Sequence, residues 1–284
     1  MMNTDAFERM ERDGWQDPGI AQSYAEGFDL ATRQAADVLA ETVATDPGYS
    51  AVDLCTGHGI VAAKLLKRGA VVTALDFSPA MLDLARRAAP DASFVEGDLM
   101  AMTFPDHSFD AVSIGFGVPH FPDPEKGLQE VARVLKPGGR LAFSIWHGKG
   151  SNGAFGWLFE AVARHGDPAV TLPDGPDAHM FADKEITEAI LTACGFTDIT
   201  MLELPSRVFV SSPEKLFDAI DKGAVRAASL LGGQPEDRRS AIRTELSRRV
   251  QDEGTPENHG IWCPHLQSLS RPCALSVLVR QPLN

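Results

Sequence analysis

The sequence predicts an α/β protein whose parallel sheet carries helices on both faces. Two observations carry this. Between Ser50 and His147 short apolar runs alternate with amphipathic helical segments, the pattern of successive strand–helix–strand units. The first of these runs feeds a glycine-rich turn that opens a helix.

The elements follow in order. Ala51–Leu54 is expected to be a short buried strand, and the helix after its turn stops at Arg68-Gly69, with the glycine as C-terminal cap. Val71–Leu75 is the second strand. Ser78-Pro79 starts the next helix, serine as N-cap and proline at the first helical position. Ser93–Glu96 and Asp110–Ile114 are the third and fourth strands. Asp123-Pro124 opens a helix with Leu128, Val131, Ala132 and Leu135 on one face, and Lys136-Pro137-Gly138-Gly139 is expected to turn the chain into the strand Leu141–Trp146.

Beyond His147 the texture changes. Residues 148–180 are rich in Gly, Pro, Ala and Asp and are expected to form loop with one short helix. Asp183 caps a helix whose inward face is Ile186, Ala189, Ile190 and Ala193, and Ile199–Leu204 is a sixth strand. A helical insert spans about 212–253. Leu216, Phe217 and Ile220 share one face of its first helix, and Ile242, Leu246 and Val250 point inward from its last. Loop continues to about Arg271, and Ala274–Arg280 is the final strand.

Charge narrows the partners. The 284 residues include 39 acidic and 26 basic side chains, a formal charge of −13. Such a field repels nucleic acid and an anionic membrane surface, so neither is an expected partner. The N-terminus has no apolar signal core, and no uninterrupted apolar stretch approaches the roughly 20 residues of a membrane span. Cys55, Cys194, Cys263 and Cys273 form no C-x-x-C pair. A reducing, cytoplasmic setting is therefore expected. His259, Cys263 and His265 are loosely spaced and lack a fourth ligand, so no metal is expected. The sequence leaves a homodimer open.

The chemistry centres on V-D-L-C-T-G-H-G-I at 52–60. A strand ends in an acid, and Gly57 and Gly59 allow a ligand to lie against bare backbone. Asp53 can accept hydrogen bonds from an ammonium group. Asp76 ends the second strand, where a carboxylate can hold both hydroxyls of a ribose. G-H-G-I-V-A at 57–62 also fits the loose dinucleotide fingerprint G-x-G-x-x-G/A, which keeps an NAD(P)-dependent oxidoreductase open. Against it, Asp53 sets a carboxylate where a pyrophosphate would lie.

Residues 50–147 resemble the class I S-adenosylmethionine-dependent methyltransferases, especially those of ubiquinone and menaquinone biosynthesis. Five segments carry the resemblance in order: D-L-C-T-G-H-G at 53–59, L-D-F-S-P-A-M-L at 75–82, V-E-G-D-L at 95–99, F-P-D-H-S-F-D-A-V at 104–112 and V-L-K-P-G-G-R-L at 134–141. Cys55 stands where the family pattern has its first glycine. The resemblance implies a Rossmann-like, seven-stranded sheet of order 3-2-1-4-5-7-6 with strand 7 antiparallel, and a helical cap. It implies S-adenosyl-L-methionine as cofactor and S-adenosyl-L-homocysteine as product. Asp53, Cys55, Gly57, Gly59 and Gly115 would surround the cofactor, Asp76 would hold its ribose, Phe77 and Met81 would pack on the adenine, and Asp98 would take the adenine amino group with Leu99 alongside. Tyr24 and Phe28, in Q-S-Y-A-E-G-F-D at 22–29, fall where the family folds a helix over the cofactor.

His120, in the loop G-F-G-V-P-H-F-P-D after the fourth strand, is the candidate catalytic base. His58 is a bystander or a contact to the cofactor carboxylate, and Trp146, Phe155, Trp157 and Phe159 are packing residues, with a place in the lining of the acceptor pocket as the alternative for some of them. The expected reaction is direct displacement of the methyl by an oxygen, nitrogen, carbon or sulfur atom of a small molecule. A non-catalytic protein that binds the cofactor is the other alternative. The chain divides into an N-terminal helical cap segment at 1–45, a cofactor-binding core at 46–211 and 272–284, and a helical insert at 212–271 expected to act as an acceptor lid.

Overall fold

A computed structural model describes residues 4–44, 46–146, 153–204, 210–257, 261–264 and 274–281. In chain order the elements are α1 (Asp5–Gln16), α2 (Pro18–Val43), β1 (Ser50–Leu54), α3 (Ile60–Lys67), β2 (Val71–Asp76), α4 (Pro79–Ala88), β3 (Ser93–Glu96), β4 (Phe109–Gly115), α5 (Pro124–Val134) and β5 (Leu135–Trp146). There follow α6 (Ala154–His165), α7 (Lys184–Ala193), β6 (Thr197–Leu204), α8 (Glu214–Gly223), α9 (Val225–Gly232), α10 (Glu236–Glu253), β7 (Gly254–Glu257), β8 (Ile261–Pro264) and β9 (Ala274–Arg280). They form two compact units: Thr32–His147 with Pro176–Leu204 and Ala274–Asn284, and Met1–Ala31 with Gly148–Gly175 and Pro205–Cys273.

The first unit is an α/β sheet domain. Its seven strands lie in the order β3-β2-β1-β4-β5-β9-β6. β1 to β5 pair in parallel, and β9 is antiparallel to both neighbours. Side chains alternate across the pleat. Val52, Leu54, Val112, Ile114, Leu141 and Phe143 enter one core with Leu128 and Val131 of α5 and Leu191 of α7. Ala51, Ala74, Ala111 and Ala142 face the other way, against Leu39 and Val43 of α2 and Val61 and Leu65 of α3. Helix starts follow the expected caps. Ser78 Oγ accepts from Met81 N at 3.1 Å, Asp123 Oδ1 from Lys126 N at 3.0 Å, and Asp183 Oδ1 from Glu185 N at 2.9 Å.

Three local expectations are corrected. Lys136–Gly139 does not precede β5 but bulges within it: Leu135 pairs with Phe109 and Arg140 with Ala111, so the four residues stand against Asp110 alone. Lys136 Nζ anchors the bulge by donating to Asp110 Oδ1 at 2.9 Å. α5 turns Val134 inward and ends there, so Leu135 belongs to the strand. α7 is rotated from the expected face. Thr187 and Leu191 are buried, whereas Ala189 and Ala193 are exposed and Ile186 is 42% exposed. Thr187 Oγ1 donates to Phe181 O at 2.9 Å, and that bond fixes the rotation.

The second unit is mainly helical. Leu216, Phe217 and Ile220 of α8 and Ile242, Leu246 and Val250 of α10 are buried, as the periodicity predicts, and Leu231 of α9 is buried as well. α6 joins them: Arg164 pairs with Glu245 at 3.1 Å and Arg249 with Glu160 at 2.7 Å. Residues 148–175 therefore cluster with the insert, whereas the sequence grouped them with the core. α1 closes on α9 through buried Glu11, which accepts from Arg226 Nε and, at 3.0 Å, from Trp15 Nε1. A row of rings passes through Tyr24 and Phe28, with centroids 5.3 Å apart, to Phe155 at 5.9 Å. Where loop was expected after α10, β7 and β8 pair as an antiparallel ribbon.

His259, His265 and Cys273 lie outside the described residues, and the Cys263 side chain is not described. Among the described residues, no group of three His, Cys, Asp or Glu side chains is placed to hold a metal, and no helix is long and apolar enough to cross a membrane.

Candidate functional site

β1 delivers Asp53 to its carboxyl end, the edge at which open α/β sheets bind ligands. The carboxylate is 1% exposed. Oδ1 accepts from Ser113 Oγ at 2.6 Å, and Oδ2 from Thr56 Oγ1 at 2.7 Å and Ala62 N at 3.1 Å. Asp53 thus ties β1, β4 and the start of α3 together. Burial pushes its carboxyl up to about 6 against these three bonds, and Asp76 adds to the rise.

The turn that follows is left-handed at Cys55 (φ 52°), Gly57 (φ 53°) and Gly59 (φ 85°). At Gly59 a side chain would stand 2.8 Å from Ala85 Cα, so α4 approaches bare backbone there. At Gly57 an added Cβ would meet only Cys55 O, at 4.0 Å, and the turn presents a bare, open face. Gly57 N donates to Asp76 Oδ2 at 2.8 Å, and Ser78 N to Asp76 Oδ1 at 2.9 Å. Asp76 is 6% exposed. Burial pushes it up to about 6, opposed by amides of Ser78, Gly57 and Phe77 and by the charge of His120. Gly97 N donates to Asp76 O at 3.0 Å, which sets Asp98 beside it. Asp98 Oδ1 accepts from Met100 N at 2.8 Å and caps the short turn Leu99–Ala101. Leu99 and Met81 are buried, and Phe77 is partly exposed.

β4 ends at Gly115, and its loop packs on the turn. A Cβ at Gly117 would fall 2.6 Å from Cys55 Cβ and 3.1 Å from Cys55 Sγ. Burial, then Asp76, Asp53 and Asp98, push the Cys55 thiol up. It is a neutral thiol that feels all three acids. His120 closes the short turn Val118–His120, its amide donating to Gly117 O at 3.0 Å. The structure therefore gathers Asp53, Cys55, Gly57, Gly59, Asp76, Asp98, Gly115 and His120 at one edge of the sheet. Tyr24 lies in the helical unit, where burial raises its phenol above the usual range.

Sequence reasoning passed over Ser113, which holds Asp53, and Phe116. The Phe116 backbone is left-handed (φ 59°), its amide donates to Ser144 O at 3.0 Å, and its ring stacks on Trp146 with centroids 4.2 Å apart. The glycines on either side of Phe116 were the available signal.

With Asp53 standing behind them, 1% exposed and with both oxygens engaged, Asp76 at the end of β2, Asp98 just after β3 and the bare turn make a surface for a ligand that donates hydrogen bonds. It suits hydroxyl, amino and ammonium groups. A pyrophosphate would add negative charge beside two carboxyls whose ionisation burial already disfavours.

The comparisons agree. Residues 52–143 match the model of a methyltransferase domain. The chain is 37% identical over 189 residues to a demethylmenaquinone methyltransferase of Thermus thermophilus, covering 60% of this chain and 83% of that one. It is 41% identical over 110 residues to the enzyme of that name from Renibacterium salmoninarum, covering 39% of this chain and 46% of that one, so the match spans less than half of that relative. Among solved structures, phosphoethanolamine N-methyltransferase 2 of Haemonchus contortus, in complex with phosphomonomethylethanolamine and S-adenosylhomocysteine, superposes with a TM-score of 0.57 at 16% identity, over 97% of this chain and 60% of that one. That likeness is one of fold. The chain belongs to the class I S-adenosylmethionine-dependent methyltransferases of the quinone-biosynthesis type.

Proposed function

We propose that the protein transfers a methyl group from S-adenosylmethionine to a small quinone-type acceptor in its reduced form. The observation that carries the cofactor half is the joining of the glycine turn to the β2 acid: Gly57 exposes bare backbone while its amide orients Asp76. The acceptor class is supported by the names of the relatives.

The cofactor supplies a methyl carbon on a sulfonium. When bound, it would pass that methyl to the acceptor's nucleophilic atom, the sulfur–methyl electron pair staying on sulfur and the acceptor losing one proton. Asp76 would hold the ribose, Asp98 would take the adenine amino group, and Phe77, Met81 and Leu99 would enclose the ring. Asp53, Cys55, Gly57, Gly59 and Gly115 shape the floor. His120 is assigned the acceptor proton. The protein's contribution is alignment and exclusion of water.

The test is transfer of labelled methyl to reduced demethylmenaquinone and to reduced 1,4-naphthoquinone, beside thermal shifts with S-adenosylhomocysteine, NAD and NADP. Labelled quinone and a shift confined to S-adenosylhomocysteine are expected. A shift with NAD or NADP alone overturns the reading.

A further inference from the structure

We infer that Trp146, buttressed by Phe116, forms the platform on which the planar ring of the acceptor stacks. The inference rests on the proposed function and adds the residues that select the acceptor.

Three observations place it. Trp146 is the last residue of β5, at the same carboxyl edge as the glycine turn. The register runs Asp53 beside Ser113 and Gly115 beside Ser144, and Trp146 lies two residues beyond Ser144. The acids lie at or beyond the ends of β1, β2 and β3, so the edge turns aromatic on crossing β4 to β5. Secondly, Phe116 is held in a left-handed conformation that aromatic side chains rarely adopt. Its amide donates to Ser144 O at 3.0 Å and to Ser144 Oγ at 3.3 Å, and Ser144 is itself fully buried. The strain sets the Phe116 ring against the indole, with an interplanar angle of 25°. Thirdly, exposure differs between the two rings. Phe116 is 5% exposed and packs with Ala35, whereas Trp146 keeps part of its surface open. Phe116 is thus a positioning residue and Trp146 the contact. A rigid, partly exposed indole at this edge of the sheet suits a flat aromatic ring better than an aliphatic amine or alcohol.

The experiment measures methyl transfer to reduced 1,4-naphthoquinone together with the Kd of S-adenosylhomocysteine. Trp146→Leu should raise the acceptor KM about five- to tenfold while the Kd stays within about twofold. Trp146→Phe keeps an aromatic face and should fall between parent and Trp146→Leu. Phe116→Gly suits the backbone but removes the buttress, and should raise KM in the same direction. Were Phe116 only a turn residue, glycine would leave KM at the parent value. Parent-like KM in Trp146→Leu overturns the platform. If the parent methylates nothing, the proposed function fails, and anaerobic calorimetry of reduced 1,4-naphthoquinone on the protein loaded with S-adenosylhomocysteine still decides the platform. Weaker binding in Trp146→Leu supports it; equal affinity, or none in the parent, overturns it.

Discussion

Gly57 N lies 2.8 Å from Asp76 Oδ2, so the turn after β1 and the acid ending β2 form one hydrogen-bonded unit. Asp76→Ala removes the acceptor for two amides as well as the proposed ribose contact. Affinity for S-adenosylhomocysteine should fall by roughly 1.5–3 kcal/mol, and stability by about 1–3 kcal/mol from the orphaned amides. Calorimetry and denaturant unfolding on the same protein read both. Unchanged affinity removes Asp76 from the site.

Binding should weaken on acidification. Burial pushes Asp53 and Asp76 up to about 6, above the carboxylate value of the unfolded chain. The folded protein takes up these protons first as pH falls. Their ionisation therefore costs stability above about pH 6, and the cost disappears below the unfolded value. A ligand whose hydroxyls donate to Asp76 favours its charged form. Affinity should be full above about pH 6 and fall below it by at most about tenfold per pH unit. Asp76→Asn should remove the Asp76 share of that slope. Calorimetry between about pH 5 and 8 checks this, and a flat profile in the parent excludes Asp76 as the ionising contact.

The strand ends, their acids and the helix caps were legible in the sequence because each is a local pattern. An acid closes an apolar run, and Ser78, Asp123 and Asp183 stand just before amphipathic stretches. The face of α7 was not legible, because the Thr187 hydroxyl finds Phe181 O and turns a threonine inward past Ile186. The grouping of 148–175 with the insert depends on which partner α6 meets, as does the pairing of Glu11 with Arg226 across 215 residues. Periodicity shows that a face is buried, not against what. Asp98 was placed after β3 correctly, yet what sets it beside Asp76 is the Gly97 amide on the Asp76 carbonyl, which no side-chain pattern announces.

The two glycines of the turn should fail differently. Gly59→Ala puts a methyl 2.8 Å from the backbone of Ala85 and forces alanine into φ 85°. A loss of about 2–4 kcal/mol of stability is expected. Gly57→Ala meets open space and bears only the left-handed backbone, about 1–2 kcal/mol. Its methyl enters the bare face, so the larger effect should be on S-adenosylhomocysteine affinity. Unfolding curves and calorimetry on both variants separate the two. Equal affinity losses relative to stability would show that Gly57 does not face the ligand.

Cys55 and Gly117 should behave as a coupled pair. Cys55 carries a side chain in a left-handed turn position, and it fits because Gly117 has none: a Cβ at Gly117 would fall 2.6 Å from Cys55 Cβ. Gly117→Ala alone should cost about 2–3 kcal/mol, since the well-packed loop has nowhere to move. Cys55→Gly alone relieves roughly 1–2 kcal/mol of backbone strain but gives up the packing of its thiol, so its net effect should be small. In the double variant the new methyl occupies the space that the thiol leaves, although Ile114 Cγ2, at 2.9 Å, must still shift. The cost of Gly117→Ala should therefore fall by about 1–2 kcal/mol in the Cys55→Gly background, a coupling that unfolding of the four proteins in a double-mutant cycle resolves. Additive losses would mean that the loop after β4 yields elsewhere and that Cys55 does not set its seat on the turn.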